Sequence, residues 1–189
     1  MNYKLDRGWV SPARHLPSPN FGSRPKNEVV SLLVLHNISL PPGCFDGNAV
    51  ERFFTNTLDF DEHPWYENIR GVQVSAHLFV RRDGELVQFV SLNERAWHAG
   101  RSHFDGRDEC NDFSIGIEIE GTDDLPYTDA QYVTLGALCA FLQTAYPHIN
   151  DGRIVGHSDI APGRKTDPGD AFEWSKFRRF VQDNKKNSV

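Results

Sequence analysis

The chain has 189 residues, the size of one ordinary domain, and its 39% hydrophobic content with 13 Phe and 4 Trp is enough to bury a core without staples. That composition excludes disorder or a fibrous repeat as a description of the whole. Twenty Lys and Arg against 26 Asp and Glu leave a net charge of −6, the wrong sign for a chain whose main partner is nucleic acid.

Residues 1–28 mix proline and glycine without sustained periodicity and read as an irregular lead-in on the surface. Residues 29–35, VVSLLVL, are a short, partly β-branched run that ends at His36 and is bounded by Pro41-Pro42-Gly43, which predicts a buried central strand. Residues 48–57 suit a short helix with Val50, Phe53 and Phe54 on one side. Segments 75–81 and 85–91 both alternate, and Asp83-Gly84 between them signals a hairpin. Residues 113–120 alternate strictly, with Phe113, Ile115, Ile117 and Ile119 on one face and Ser114, Gly116, Glu118 and Glu120 on the other. Thr128 and Gln131 make a capping box ahead of Leu135, Leu138, Cys139, Leu142 and Tyr146 at helical spacing, and Pro147 stops that run. Residues 154–157 read as a further strand. Residues 172–184 read as a terminal helix with Phe172, Phe177, Phe180 and Val181 inward, followed by a tail at 185–189.

Strands alternate with helices, yet the hairpin requires antiparallel pairing. The predicted fold class is therefore α/β of a mixed, α+β-like kind: a central mixed β-sheet flanked by helices, in one domain over 1–189. No apolar run is long enough to span a bilayer, and the opening MNYKLDRGWV lacks the apolar segment of an export signal. Cys44, Cys110 and Cys139 are odd in number and far apart, which predicts free thiols and a cytoplasmic chain.

Candidate chemistry gathers where strands end, because strand termini hold side chains at a rigid rim. His36 and His157 each close a predicted strand, and Asp167 follows ten residues after His157 in Gly163-Arg164-Lys165-Thr166-Asp167-Pro168-Gly169. Pro168 biases Asp167 toward extended backbone, so that Lys165 and Asp167 point the same way. Two histidines and a carboxylate with a fourth position open suit a catalytic zinc ion, although a histidine after a strand is more often a packed, hydrogen-bonded residue than a ligand. Glu118 lies mid-strand in an apolar segment. Its polar face meets solvent, it pairs with an arginine, or it serves as the general base beside a metal-activated water. His77 reads as a packed residue, His15, His63, His103 and His148 as surface residues in loops, and the cysteines as structural. Trp65 and Tyr66 suit either sugar stacking or packing.

Several segments taken in order carry a resemblance: Leu35-His36-Asn37-Ile38-Ser39, Val74-Ser75-Ala76-His77, Arg81-Arg82-Asp83-Gly84-Glu85, Ala96-Trp97-His98-Ala99-Gly100, 110–118 (CNDFSIGIE), Gly156-His157 and 164–169 (RKTDPG). From about Gly8 to Phe180 the chain resembles the zinc-dependent N-acetylmuramoyl-L-alanine amidases, and among them the branch acting on 1,6-anhydromuropeptides. The resemblance implies the fold of phage amidases and peptidoglycan recognition proteins. It implies one zinc ion on His36, His157 and Asp167, an acid/base role for Glu118, and an oxyanion-stabilising role for Lys165. It also implies a substrate groove lined by Asn37, Trp97, His98 and Ala99. Phage-type relatives have a tyrosine where this chain has Ala76 and a cysteine where it has Asp167. Closer relatives carry arginines at the positions of Gln73 and Glu109, so the grip on the distal peptide's carboxylates is expected to be weaker here.

The implied function is hydrolysis of the amide between anhydro-N-acetylmuramic acid and L-alanine in cytoplasmic wall recycling, with a consequent influence on β-lactamase induction. The implied partner is a soluble 1,6-anhydromuropeptide met by a monomer, without nucleic acid or membrane. A non-catalytic muropeptide-binding module of the same fold is the alternative, and such modules lose a zinc ligand that this chain keeps. A secreted wall autolysin would need an export signal, and a two-metal phosphoesterase more carboxylates than this rim offers.

Overall fold

Ser114–Glu120 is buried at every position, which a strand achieves only when both of its faces are covered. The computed structural model describes residues 2–186. In chain order the main sheet is built from β1 (Arg14–His15), β2 (Leu32–Ile38), β3 (Leu78–Val80), β4 (Leu86–Gln88), β5 (Ser114–Glu120) and β6 (Ile154–Gly156). The helices are α1 (Ala49–Phe54), α2 (Asp129–Ala145), α3 (His157–Ile160) and α4 (Trp174–Lys186). The strand order is β6-β2-β5-β3-β4-β1. The neighbours β6/β2, β2/β5, β5/β3 and β4/β1 run parallel, and only β3/β4 is antiparallel. The mixed sheet expected from the alternation and the hairpin is the one observed.

One face of the sheet carries Leu33 and Leu35 of β2 and Ile115, Ile117 and Ile119 of β5. These pack with Leu135, Leu138, Cys139 and Leu142 of α2 and with Phe177 and Val181 of α4. Helix α2 starts where expected: the Thr128 hydroxyl accepts from the Gln131 amide, the Gln131 side chain accepts from the Thr128 amide, and the helix stops at Ala145. The opposite face is covered only in part. Phe79 and Val87 meet Val50, Phe53 and Phe54 on the α1 side, and Leu32 and Val34 meet Ala99, Cys110, Phe113 and Ile160 on the other. Between these two apolar patches the carboxyl ends of β6, β2 and β5 remain open, as ligand sites on parallel sheets generally do.

Several expectations need correction. The stretch 1–28 is not irregular. Lys4–Asp6 pairs with Trp9–Ser11, Phe21–Ser23 pairs with Glu94–Ala96, and β1 joins the main sheet. These strands are two or three residues long, too short to show a hydrophobic period, and two of them pair with partners far along the chain. His15 and His103, placed in loops by the sequence, are exposed residues of short strands, while His63 and His148 are exposed as expected. His36 does not end its strand, since β2 continues two residues to Ile38. The terminal helix begins at Trp174, with Phe172 buried in the preceding turn, and it includes Lys185 and Lys186 of the expected tail; residues 187–189 lie outside the described ones. All three cysteines are free, but Cys44 is exposed rather than part of the packing.

Candidate metal centre and its groove

In the parallel register of β2 and β5, His36 stands directly beside Glu118. Both lie on the face away from α2, together with Leu32 and Val34 on β2 and Ser114 and Gly116 on β5. The next strand, β6, ends at Gly156, and His157 opens α3 over the same carboxyl edge. The loop after α3 turns back so that the Ser158 amide donates to the Asp167 carbonyl, 3.0 Å away. Three residues distant in sequence thereby meet. His36 Nδ1 lies 2.9 Å from His157 Nδ1 and 3.1 Å from Asp167 Oδ2, and His157 Nδ1 lies 3.0 Å from the same oxygen.

The partners of the other ring nitrogens decide what these atoms can hold. His157 Nε2 donates to the Ala99 carbonyl at 3.1 Å, so its Nδ1 carries a lone pair. His36 Nε2 lies 2.9 Å from His98 Nδ1, and His98 Nε2 lies 3.1 Å from the Ser114 hydroxyl. That chain is satisfied when His36 donates to His98 and His98 donates to Ser114, which again leaves the lone pair on Nδ1. Two imidazole lone pairs and a carboxylate oxygen then converge on one point, an arrangement that repels itself unless a cation sits among them. Among the described residues these three form the one group of histidine and carboxylate donors able to hold an ion. Tetrahedral zinc with bonds of about 2.0–2.1 Å places its ligand atoms roughly 3.4 Å apart, so the donor set fits.

Electrostatics agree with that reading. Burial, reinforced by the charges of His157 and Lys165 and opposed by the adjoining Asp167 carboxyl, lowers His36 to about 4 and keeps it neutral at ordinary pH. For Asp167, burial alone would raise the carboxyl, but the His157 and His36 imidazoles set against its Oδ2 outweigh that and hold the group well below its usual range. Glu118 goes the other way. Burial and the nearby charge of Asp167 push it well above the usual carboxylate range against the pull of Lys165, and its Oε2 is buried without a hydrogen-bond partner. The alternatives of a solvated face or an arginine partner for Glu118 are thus not what the structure holds. Glu120 and Ser114 on the same face do have internal partners, the Arg82 amide and His98.

His36, Asn37, Trp65, Trp97, His98, Glu118, Asp123, His157, Arg164, Lys165 and Asp167 all border one groove of about 1150 Å³. Trp65 therefore faces the groove, whereas Tyr66 is packed against its floor. The Asn37 amide donates to Asp123 and to the Pro168 carbonyl. Two expectations for the groove wall change. Ala99 is fully buried, and its carbonyl serves His157 and the Arg164 guanidinium. His98 borders the groove, but both its nitrogens are engaged inward, toward His36 and Ser114. His77 is packed as expected, with the Gly116 amide on its Nδ1 and the Glu94 carbonyl on its Nε2. Gln73 is exposed on the rim between Val72 and Val74, and Glu109 pairs with Arg95 at 3.1 Å rather than facing the groove.

Gly116 explains how His98 fits. A β-carbon there would lie 2.3 Å from the His98 ring. Gly116→Ala is expected to cost about 1–3 kcal/mol in denaturant unfolding, as overpacking does, and to free His36 Nε2 from His98, which imidazole nitrogen NMR reads directly. An unchanged His36 tautomer and stability would show that the ring has other room.

The description of one family, N-acetylmuramoyl-L-alanine amidase, matches residues 26–170. Among characterised proteins, the 1,6-anhydro-N-acetylmuramyl-L-alanine amidase AmpD of Salmonella typhimurium (strain SL1344) is 56% identical over 93% of this chain and 94% of its own length. AmpD of Escherichia coli (strain K12) is 54% identical over 94% and 96%. A selenomethionine crystal structure of AmpD superposes with a TM-score of 0.91 at 54% identity, covering 94% of this chain and 99% of that one. The amidase AmiD of E. coli, in complex with anhydro-N-acetylmuramic acid-L-Ala-D-γ-Glu-L-Lys, matches with a TM-score of 0.59 at 27% identity over 94% of this chain and 65% of its own.

Proposed function

Since the chain belongs to the N-acetylmuramoyl-L-alanine amidase family, we propose that it hydrolyses the amide between 1,6-anhydro-N-acetylmuramic acid and L-alanine, with one zinc ion held by His36, His157 and Asp167. The observation that carries this reading is the meeting of two imidazole lone pairs and a carboxylate beside the buried, unpartnered Glu118 oxygen. Zinc in such a donor set lowers the pKa of water to about 7 and polarises a carbonyl.

The residues divide the remaining work. Glu118, made more basic by burial than an exposed carboxylate, takes a proton from the attacking water. It then delivers that proton to the departing L-alanine nitrogen, without which the amine leaves poorly. Lys165, at the groove wall, stabilises the charge growing on the carbonyl oxygen, a role whose loss typically costs about 10²–10³ in rate. Asp167 would hold the ion through Oδ2 and supply a negative charge that partly neutralises it. His98 and the Ala99 carbonyl hold the two imidazoles in the tautomers that ligation needs. Asn37, Trp97 and Trp65 border the path of the substrate.

The names of the relatives point to a 1,6-anhydromuropeptide as the substrate, and we place the reaction in cytoplasmic recycling of wall fragments, where destroying such fragments also restrains β-lactamase induction. We take the protein to act as a monomeric amidase domain. Among the described residues no helix is long and apolar enough to cross a membrane. The test sets anhydromuramyl-tripeptide against purified sacculi, each with and without a chelator. Faster, chelator-sensitive cleavage of the soluble fragment is expected. Faster cleavage of sacculi overturns the recycling role, and full activity after complete zinc removal overturns the metal assignment.

A further inference from the structure

The loop of residues 121–125 holds none of the proposed ligands or catalytic groups, yet one of its carboxylates touches the immediate chain neighbours of two proposed ligands. Asp123 Oδ1 accepts from the Asn37 amide at 2.8 Å, and Asn37 directly follows His36. Asp123 Oδ2 accepts from the Thr166 hydroxyl at 2.5 Å, and Thr166 directly precedes Asp167. The backbone of the same residue is gripped too. Its carbonyl accepts from the Ala171 amide at 2.9 Å, and Gly169, at φ +80°, passes so close that a β-carbon would lie 2.1 Å from Asp123 Cα. Segment 166–171 thus wraps around Asp123.

We propose that Asp123 is a positioning residue for the metal centre, a carboxylate clip that fixes the strand carrying His36 and the loop carrying Asp167 at one separation. The need for such a clip follows from the fold. His36 is held by the sheet ladder and His157 by the first turn of α3, both regular elements, whereas Asp167 rides on a loop. The Ser158 amide anchors Asp167 from the α3 side only. On the opposing side Asn37 and Tyr127 donate directly to the Pro168 carbonyl at 3.1 and 2.8 Å, and Asp123 adds the anchor that ties Thr166 to the Asn37 side chain. It does so with an ionised acceptor, which makes stronger hydrogen bonds than a neutral one, and each of its oxygens serves a different element. Groups that orient metal ligands in this way typically contribute 10–100-fold in metal affinity.

The inference rests on zinc being held by His36, His157 and Asp167, so its test begins with the zinc affinity of the wild-type chain by chelator competition. Absence of zinc binding there overturns the metal reading itself, whatever the variants do. Given wild-type binding, Asp123→Ala is expected to weaken zinc roughly 10–100-fold and to alter the visible absorption of the cobalt-substituted protein, which reports ligand geometry. Thr166→Val is expected to weaken zinc in the same direction, Thr166→Ser to restore it, and the Asp123→Ala/Thr166→Val double variant to be no weaker than Asp123→Ala alone. Thr166 is exposed, so its variants carry the test even if Asp123→Ala does not fold. Wild-type zinc affinity and an unchanged cobalt spectrum in Asp123→Ala, or in Thr166→Val where Asp123→Ala does not fold, overturn the proposal. So does a double variant whose losses simply add.

Discussion

Glu118→Gln is expected to lower kcat by about 10²–10⁴-fold, the range for removing a positioned general base, while leaving zinc content unchanged. The same substitution is expected to stabilise the metal-free protein. Glu118 is a carboxylate whose Oε2 is buried without a partner, with Asp167 near it and only Lys165 in compensation. Its folded pKa lies above the unfolded one, so between the two values the folded chain retains a proton that the unfolded chain has released. Stability contributed by that protonated form is present at low pH and is lost as pH rises from about 4.5 through the raised folded value. Glutamine keeps the shape and removes the charge, so the melting temperature of metal-free Glu118→Gln should fall less than that of wild type as pH rises across this window. A residue kept at the expense of stability fits one retained for its reactivity. Wild-type kcat in Glu118→Gln would require another base. His98 is poorly placed to be that base, because both of its nitrogens are engaged by His36 and Ser114.

Asp167→Ala is expected to abolish stoichiometric zinc and activity together, and with them the thermal stabilisation that zinc confers. An ion bound only by the folded chain and present at 1,000 times its dissociation constant adds about 4.1 kcal/mol. For a chain of this size that corresponds to roughly 8–16 °C in Tm. Wild type treated with chelator should lose that increment, and Asp167→Ala should show none to lose. Acid should act as a chelator does. His36 is lowered from 6.5 to about 4, so between these values the unfolded chain binds a proton that the folded chain refuses. Stability therefore rises with pH across that window and is lost on acidification through it, and zinc leaves over the same range as protons compete for the imidazole. Asp167 adds in the same direction, its depressed carboxyl contributing stability above 3.8 that disappears as pH falls toward its folded value. Full zinc content in Asp167→Ala would remove it from the ligand set.

Much of this protein was legible in the order of its residues, because the signals involved are local. The alternation at 113–120, the Asp83-Gly84 turn and the Thr128/Gln131 capping box each act within a few residues, and the elements formed there, although the hairpin strands are shorter (Leu78–Val80 and Leu86–Gln88) than the alternation at 75–81 and 85–91 predicts. The motif set that carried the family resemblance also named His36, His157, Asp167 and Glu118. What the sequence could not determine is set by contacts between distant segments. Phe21–Ser23 and β1 pair with Glu94–Ala96 and β4, far along the chain, and no period within residues 1–28 announces that. The tautomers of His36 and His157 depend on His98, Ser114 and the Ala99 carbonyl, 16 to 62 residues away from their partners. Whether Glu118 was solvated, paired or isolated was undecidable from alternation alone, since a polar strand face looks the same against water as against a metal centre. Asp123 sits in an unremarked polar loop, and only the return of segment 166–171 across the sheet brings its two oxygens to the neighbours of His36 and Asp167. Local signals suffice for the central strands, the long helices and the chemical kinds of the donors; burial, tautomers and separations come from contacts between distant segments, because those depend on which remote groups exclude water and supply hydrogen bonds.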